Sequence, residues 1–254
     1  MILANKYKIL EQIGQGTFGK VFKGENIRTK ELVAIKIEKH EANTPCSLKY
    51  ETQIYQAIGS SGQGSGQGSG IPAIKWFGIA DGYYFMVLPL LGISLSEFKR
   101  VKVQAPFSLT TTLYFGTQMI KRLQFIHEKG FIHRDVKPDN FLLDVSSLFI
   151  TLVDFGFCRK YINDSDGKHI PIHNDRNLIG SPNYVSDNMH RRIEPSRRDD
   201  LESVGYIMIY LLTNKVKRET TEKKICDYLI YCKNLAFEQT PNYNYLYSIL
   251  TAST

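Results

Sequence analysis

The residues best suited to chemistry lie in "FIHRDVKPDNFLL", residues 131–143. Between its apolar ends the run carries His133, Arg134, Asp135, Lys137, Asp139 and Asn140, with Pro138 stiffening the backbone. A loop this polar is costly to order unless its side chains have partners. Nineteen residues after Asp135, "LVDFGF" ends an apolar strand on Asp154, followed by Phe155 and Gly156. A carboxylate in that position suits a divalent metal, although a lone Asp-Phe-Gly reads equally well as a turn or cap. Near the N-terminus, Gly14, Gly16 and Gly19 of "IGQGTFGKV" would let backbone lie close over phosphates. The competing readings are a plain hairpin turn or a dinucleotide fingerprint. A fingerprint should open a helix, whereas this run continues into the strand pattern "KVFKGENI". Lys36 ends the apolar "VAIK", and phosphate oxygens are its natural partners. Glu51 shares a helical face with Ile54, Tyr55 and Ile58. A carboxylate on that inward face needs a cation, and Lys36 is the nearest in sequence.

These groups need elements to hold them. "YKILEQIG", "KVFKGENI" and "ELVAIKIEK" alternate as strands between turn signals. "SLKYETQIYQAI" changes to helical period, with Ser47 placed as its cap. The stretch "GSSGQGSGQGSG", residues 59–70, is Gly, Ser and Gln only and reads as a flexible loop of natural or engineered origin. Two further strand-like runs follow, "IPAIKWFGIA" and "GYYFMVLPLLG". From "SLSEF" onward the pattern is mostly helical, and "SLTTTLYFGTQMIKRLQFIHEKG" has a Ser start and a Gly130 stop. The expectation is an α+β chain with a strand-rich lobe at 1–88 and a helical lobe at 89–254.

Taken in order, the Gly-rich loop, Val-Ala-Ile-Lys, His-Arg-Asp-x-Lys-x-x-Asn and Asp-Phe-Gly are the motif set of eukaryotic protein kinases, and the chain resembles that family over nearly its whole length. The resemblance is closer to the casein kinase I family. It is carried by "LLGISLSEF", "HIPIHNDRNLIGSPNY", "SRRDDLESVGY" and "PNYNYL", with "EPSRRDDLES" the most distinctive. In place of the Ala-Pro-Glu of general kinases, Ser186-Asp187-Asn188 matches the Ser-Ile-Asn of that family.

The resemblance implies a bilobal fold, ATP and Mg²⁺ as cofactors, and roles for particular residues. Asp135 accepts or orients the substrate hydroxyl proton, and Lys137 steadies the γ-phosphate, as in serine/threonine kinases. Asn140 and Asp154 hold Mg²⁺. Lys36 holds the α- and β-phosphates and is held by Glu51. Gly14, Gln15, Gly16, Thr17, Phe18 and Gly19 cover the phosphates. Ile13, Val21 and Ala34 roof the adenine with Leu142 beneath, Leu88 is the gatekeeper, and the backbone of Leu91 is the hinge. Pro89 lacks an N–H and offers the hinge only a carbonyl. Asp200 braces the catalytic loop.

Three departures stand out. Ser181-Pro182-Asn183-Tyr184 replaces the family's Thr-Ala-Arg-Tyr, so the arginine that helps bind a priming phosphate is missing. "TNKVKRETTEKK" follows "YIMIYLL" directly, so the C-terminal lobe is trimmed. An autoinhibitory tail like that of some relatives is not expected. Lys215, Lys217 and Arg218 of "KVKR" resemble the family's basic run and form a candidate anion site.

Composition fits this reading. The chain has 254 residues and a formal charge of +7, which favours acidic or phosphorylated protein substrates. The basic clusters read equally well as solvated faces. Four scattered cysteines with few nearby histidines argue against a zinc site and read as free thiols. The N-terminus has lysines within its apolar stretch, unlike a signal peptide, and no apolar run is long enough to span a bilayer. The expectation is an intracellular monomer in cytoplasm or nucleus, without direct nucleic-acid binding. The alternatives are a pseudokinase scaffold, opposed by the intact Lys36, Asp135, Asn140 and Asp154, and a small-molecule kinase, opposed by the casein kinase I segments.

Overall fold

The computed structural model describes residues 1–16, 19–40, 46–59 and 69–252. Thr17, Phe18 and most of the Gly/Ser/Gln stretch therefore lie outside the described residues. The chain divides into two compact units, Met1–Gly92 with Val153–Gly156, and Ile93–Leu152 with Phe157–Thr254. The boundary drawn from sequence at 88/89 falls inside a strand, and the Asp-Phe-Gly segment groups with the first unit.

The first unit is built on an antiparallel sheet of β1 (Ile2–Leu3), β2 (Tyr7–Gly16), β3 (Gly19–Asn26), β4 (Leu32–Lys39), β5 (Trp76–Ala80) and β6 (Tyr83–Pro89). Its order is β1-β2-β3-β4-β6-β5. Strand period two assigns the faces. Val33 and Ile35 of β4 are buried with Leu3, Tyr7, Phe85 and Val87 in one cluster, so Ala34 and Lys36 point to the opposite face. The run "IPAIKWFGIA" is strand only from Trp76.

Helix α1 (Ser47–Gly59) buries Leu48, Glu51, Thr52, Ile54, Tyr55 and Ile58. That stripe includes the Glu51 that periodicity placed inward. Ser47 is not the cap expected from sequence but the first helical residue. The orphan N–H groups of Ser47 and Leu48 are taken by the Glu38 carboxylate at 3.0 and 2.6 Å, and Cys46 Sγ accepts from Lys49 N–H at 3.2 Å. A carboxylate at a helix N-terminus satisfies donors and also meets the positive end of the dipole.

The second unit contains, in order, β7 (Ile93–Ser94), α2 (Leu95–Glu97) running into a π-helical turn at Phe98–Val103, and α3 (Leu109–Glu128). Next come β8 (Phe131–Ile132), a 3₁₀ turn at Pro138–Asn140, β9 (Phe141–Asp144), β10 (Phe149–Leu152) and β11 (Arg159–Lys160). The helices α4 (Asp187–His190), α5 (Arg197–Thr213), α6 (Lys223–Asn234) and α7 (Tyr243–Thr251) complete it. Ser108 caps α3 by accepting Thr111 N–H at 3.1 Å, and the chain leaves the helix through Gly130 at φ +83°. Helix α5 is buried almost all round, with α3 and α6 packed against it. Two small sheets, β10-β9-β7 and β11-β8, fix the ends of the polar loop 133–140. Among the described residues no helix is long and apolar enough to cross a membrane, and all four cysteines are unbridged.

Candidate active site

In the first unit, Lys36 Nζ donates to Glu51 Oε2 at 2.7 Å and to Asp154 Oδ1 at 2.9 Å. Glu51 Oε1 accepts the Phe155 N–H at 3.2 Å, and the Phe155 ring meets Tyr55 edge-on at 4.8 Å between centroids. The motif glutamate thus ties α1 to both the lysine strand and the Asp-Phe-Gly backbone. Burial acts to lower Lys36, but the two carboxylates outweigh it and raise the ammonium above its ordinary value. Burial pushes the Glu51 carboxyl up, against the pull of Lys36 and the Phe155 N–H. Asp154 adopts φ +66°, a left-handed conformation that aspartate tolerates better than most residues.

Cross-strand pairing gathers the other first-unit candidates. Val21 faces Lys36 across β3 and β4, Ala34 faces Leu88 across β4 and β6, and Gly14 faces Val21 across β2 and β3. Ile13 is exposed on β2, Gln15 pairs with Lys20, and Leu91 sits in the link after β6. The three glycines differ. At Gly19, φ is +150° and a Cβ would lie 2.2 Å from the Ile37 carbonyl oxygen, so the fold itself requires glycine. At Gly16 a Cβ would meet no described atom within 4 Å.

In the second unit, Asp135 is the centre of a donor cluster. Lys137 Nζ donates to its Oδ2 at 2.6 Å and Ser181 Oγ to its Oδ1 at 3.0 Å. Asn140 Nδ2 donates to the Asp135 carbonyl at 2.8 Å and to Oδ2 at 3.3 Å. Leu142 is half-buried on β9, opposite Ser94 and Thr151.

The loop is braced from α5. Asp200 accepts the backbone N–H of His133 at 2.7 Å and of Arg134 at 2.9 Å, which fixes Arg134 at φ +67°. His127 Nε2 lies 2.9 Å from the same carboxylate, and His127 Nδ1 lies 2.7 Å from Tyr243 OH. Burial lowers His127 and outweighs the pull of Asp200. A neutral imidazole with its proton on Nε2, accepting from Tyr243, satisfies all three groups without a buried cation. Asp200 is held below its ordinary range by His127 and the backbone donors, although burial opposes this. Sequence reading identified Asp200 but not His127, Tyr243 or Ser181. The available signal for His127 was a histidine on the apolar face of α3, which reads as core.

The segment after Asp-Phe-Gly is tied down internally. Buried Glu194 accepts from Arg159 Nη1 at 2.6 Å and Arg176 Nε at 2.5 Å. Of the basic run, Lys215 and Lys217 are exposed, while Arg218 is engaged with the Asp187 carboxylate at 2.7 Å. Asn183 is exposed.

Among the described residues no cluster of three or more His, Cys, Asp or Glu is arranged to hold a metal. Of the two candidates, Asp154 in the first unit brings a carboxylate and Asn140 in the second an amide oxygen. Each by itself is an oxygen donor of the kind Mg²⁺ takes, alongside phosphate and water. A model of the protein kinase domain matches residues 7–249, nearly the whole chain and every element described above from β2 to most of α7. With the lysine triad and the braced aspartate loop in those elements, the chain belongs to the protein kinase family.

Proposed function

We propose that the protein is an active serine/threonine kinase of casein kinase I type, transferring the γ-phosphate of ATP to acidic or phosphorylated protein substrates as an intracellular monomer. The observation that carries this reading is the convergence of Lys137, Asn140 and Ser181 on the Asp135 carboxylate, within a loop held by Asp200. Phosphoryl transfer asks mainly for positioning and charge neutralisation. Asp135 orients the incoming hydroxyl and takes its proton. Lys137 moves from that carboxylate to the transferred phosphate as negative charge is delivered. Lys36, protonated and held by Glu51, binds the α- and β-phosphates. Mg²⁺, held by Asp154 and Asn140, would supply the remaining neutralisation.

At Gly16 no described atom would meet a Cβ, which leaves room for phosphate oxygens beside the backbone. The intact Lys36, Glu51 and Asp154 set favours an enzyme over a scaffold, because it keeps a protonated lysine ready for phosphate oxygens. The Glu194 pairing with Arg159 and Arg176 favours a segment ordered without phosphorylation.

The test is incorporation of labelled phosphate from ATP into casein and acidic peptides, followed by phosphoamino-acid analysis. Asp135→Asn is expected to lower kcat by about 10²–10⁴-fold, the range of a general base, with unchanged folding. Wild-type turnover in that variant would remove Asp135 from the mechanism, and label on tyrosine alone would overturn the substrate class.

A further inference from the structure

The basic run expected to bind a substrate anion already holds one. Asp187, at the start of α4, stands where the casein kinase I resemblance carries isoleucine. Its Oδ1 accepts Arg218 Nη2 at 2.7 Å and Nε at 3.3 Å, and its Oδ2 accepts Lys233 Nζ at 2.7 Å. Burial would raise this carboxyl, but Lys233 and Arg218 bring it down to about 2.

Both cations are built into place. The Arg218 guanidinium lies 3.9 Å over the Tyr206 ring, and Lys233 lies 5.6 Å from the same centroid. Arg218 also donates to the Val185 carbonyl at 2.9 Å, lies 3.4 Å from His190 Nε2, and sits 3.9 Å from Glu202. Glu202 is itself occupied by Tyr206 OH and the Asp187 N–H. Beside Arg218 opens a groove of about 660 Å³, lined by Thr213, Lys217, Glu219, Thr220 and Thr221.

The chain links this cluster to the Asp135 carboxylate. Ser181 touches Asp135, and Val185, four residues on, is held by Arg218. Four residues reach at most about 14 Å, so the carbonyl that Arg218 holds lies within that chain distance of the residue touching Asp135.

We propose that Asp187 is an internal occupant of a two-cation anion site made by Arg218 and Lys233, and that it sets substrate choice by competing with a phosphorylated residue of the substrate. The proposal rests on the kinase reading and deepens it. Asn183 removes one expected cation, and Asp187 engages another. The protein therefore acts on unprimed acidic substrates with little extra benefit from priming. Asp187 is a positioning and specificity residue that acts through Arg218 and Lys233.

The experiment compares kcat/KM for matched phosphorylated and unphosphorylated peptides in wild type, Asp187→Asn and Arg218→Gln. Freeing a charge-assisted contact is worth about tenfold in binding, so Asp187→Asn is expected to raise the primed-to-unprimed ratio by about that factor. Arg218→Gln is expected to leave the wild-type ratio within about twofold, because Arg218 is already engaged. A fall in that ratio would mean that Arg218 binds the primed phosphate in wild type, and the proposal would be wrong even if Asp187→Asn failed to fold. Inorganic sulfate supplies a readout independent of turnover. It is expected to raise the melting temperature of Asp187→Asn more than that of wild type, and the added shift is expected to disappear in Asp187→Asn/Arg218→Gln. Equal sulfate shifts in wild type and Asp187→Asn would overturn the internal-occupant reading whether or not the protein is a kinase.

Discussion

Lys36 and Lys99 are both largely withdrawn from water, yet they are held in opposite ways. Lys36 is bonded by two carboxylates, Glu51 at 2.7 Å and Asp154 at 2.9 Å. Lys99 donates to the carbonyls of Leu211 at 2.7 Å and Ala105 at 3.3 Å, with its ammonium 4.7 Å over Phe107 and 5.4 Å over Tyr210. The carboxylates keep Lys36 protonated well above its ordinary range, whereas burial brings Lys99 down to about 8. A lysine that must present charge to a phosphate needs partners that stabilise charge. A lysine that only adds a donor to the Leu211 carbonyl, which Phe107 N–H already bonds at 2.9 Å, needs no carboxylate, and carbonyls with aromatic faces suffice.

The contrast is broken most severely at Lys36. Lys36→Met removes the cation and leaves Glu51 buried, so activity is expected to fall about 10²–10³-fold and stability by about 3–5 kcal/mol. Adding Glu51→Gln is expected to restore much of the stability and none of the activity. Denaturant unfolding and single-turnover assays on both variants separate the two effects. If stability stayed as low in the double variant as in Lys36→Met, the pair would not be what couples α1 to β4.

At Lys99 the expected effect is smaller and purely structural. Lys99→Met keeps the stem packed and loses the donor to Leu211 and Ala105. The lost hydrogen bonds cost on the order of 1–2 kcal/mol, offset in part at neutral pH by relief of the buried charge, and urea unfolding reads the net. Steady-state kinetics should be unaltered. A large loss of kcat would mean that Lys99 takes part in function and that the contrast has been drawn between the wrong residues.

The same two lysines mark how far the sequence could be read. Lys36 was legible because it closes a β-branched strand at a fixed distance from a glycine loop, and Glu51 because its helical phase pointed inward. Both signals are local periodicities. Lys99 lies in "SEFKRVKV", where nothing in the sequence sets it apart from Arg100 and Lys102. Its burial depends on the Leu211 carbonyl, 112 residues away, and on a π-helical turn that no propensity marks. His127 was hidden in the same manner, since its partners Asp200 and Tyr243 come from other helices. At α1 the error had a physical source. Ser47 has the right chemistry for a cap, but Glu38 from β4 supplies a charged acceptor for the same N–H groups. The motif residues and the order of elements were therefore readable, while the groups that brace them were set by tertiary contact.

The least effect, and the sharpest on mechanism, is the pH dependence that Lys99 adds to folding. Its folded value is about 8 and its unfolded value is the ordinary 10.5. Below pH 8 the group is protonated in both states, and the folded protein bears the full cost of burying the charge. Between pH 8 and 10.5 the unfolded chain binds more protons than the folded one, so this contribution makes stability rise with pH. The rise should total on the order of 1–2 kcal/mol after allowance for carbonyl and ring contacts that favour the charged form. Lys36 has the reverse sign, since its raised value makes its stabilisation fade as pH climbs past the ordinary lysine range. Subtracting the unfolding free energy of Lys99→Met from that of wild type at each pH cancels Lys36 and the tyrosines, which are common to both proteins. The difference should be flat from pH 6 to 7.5 and then move in favour of wild type up to pH 10. A flat line throughout would mean that the aromatic faces and carbonyls hold the Lys99 ammonium as well as water does, and that its burial carries no electrostatic cost.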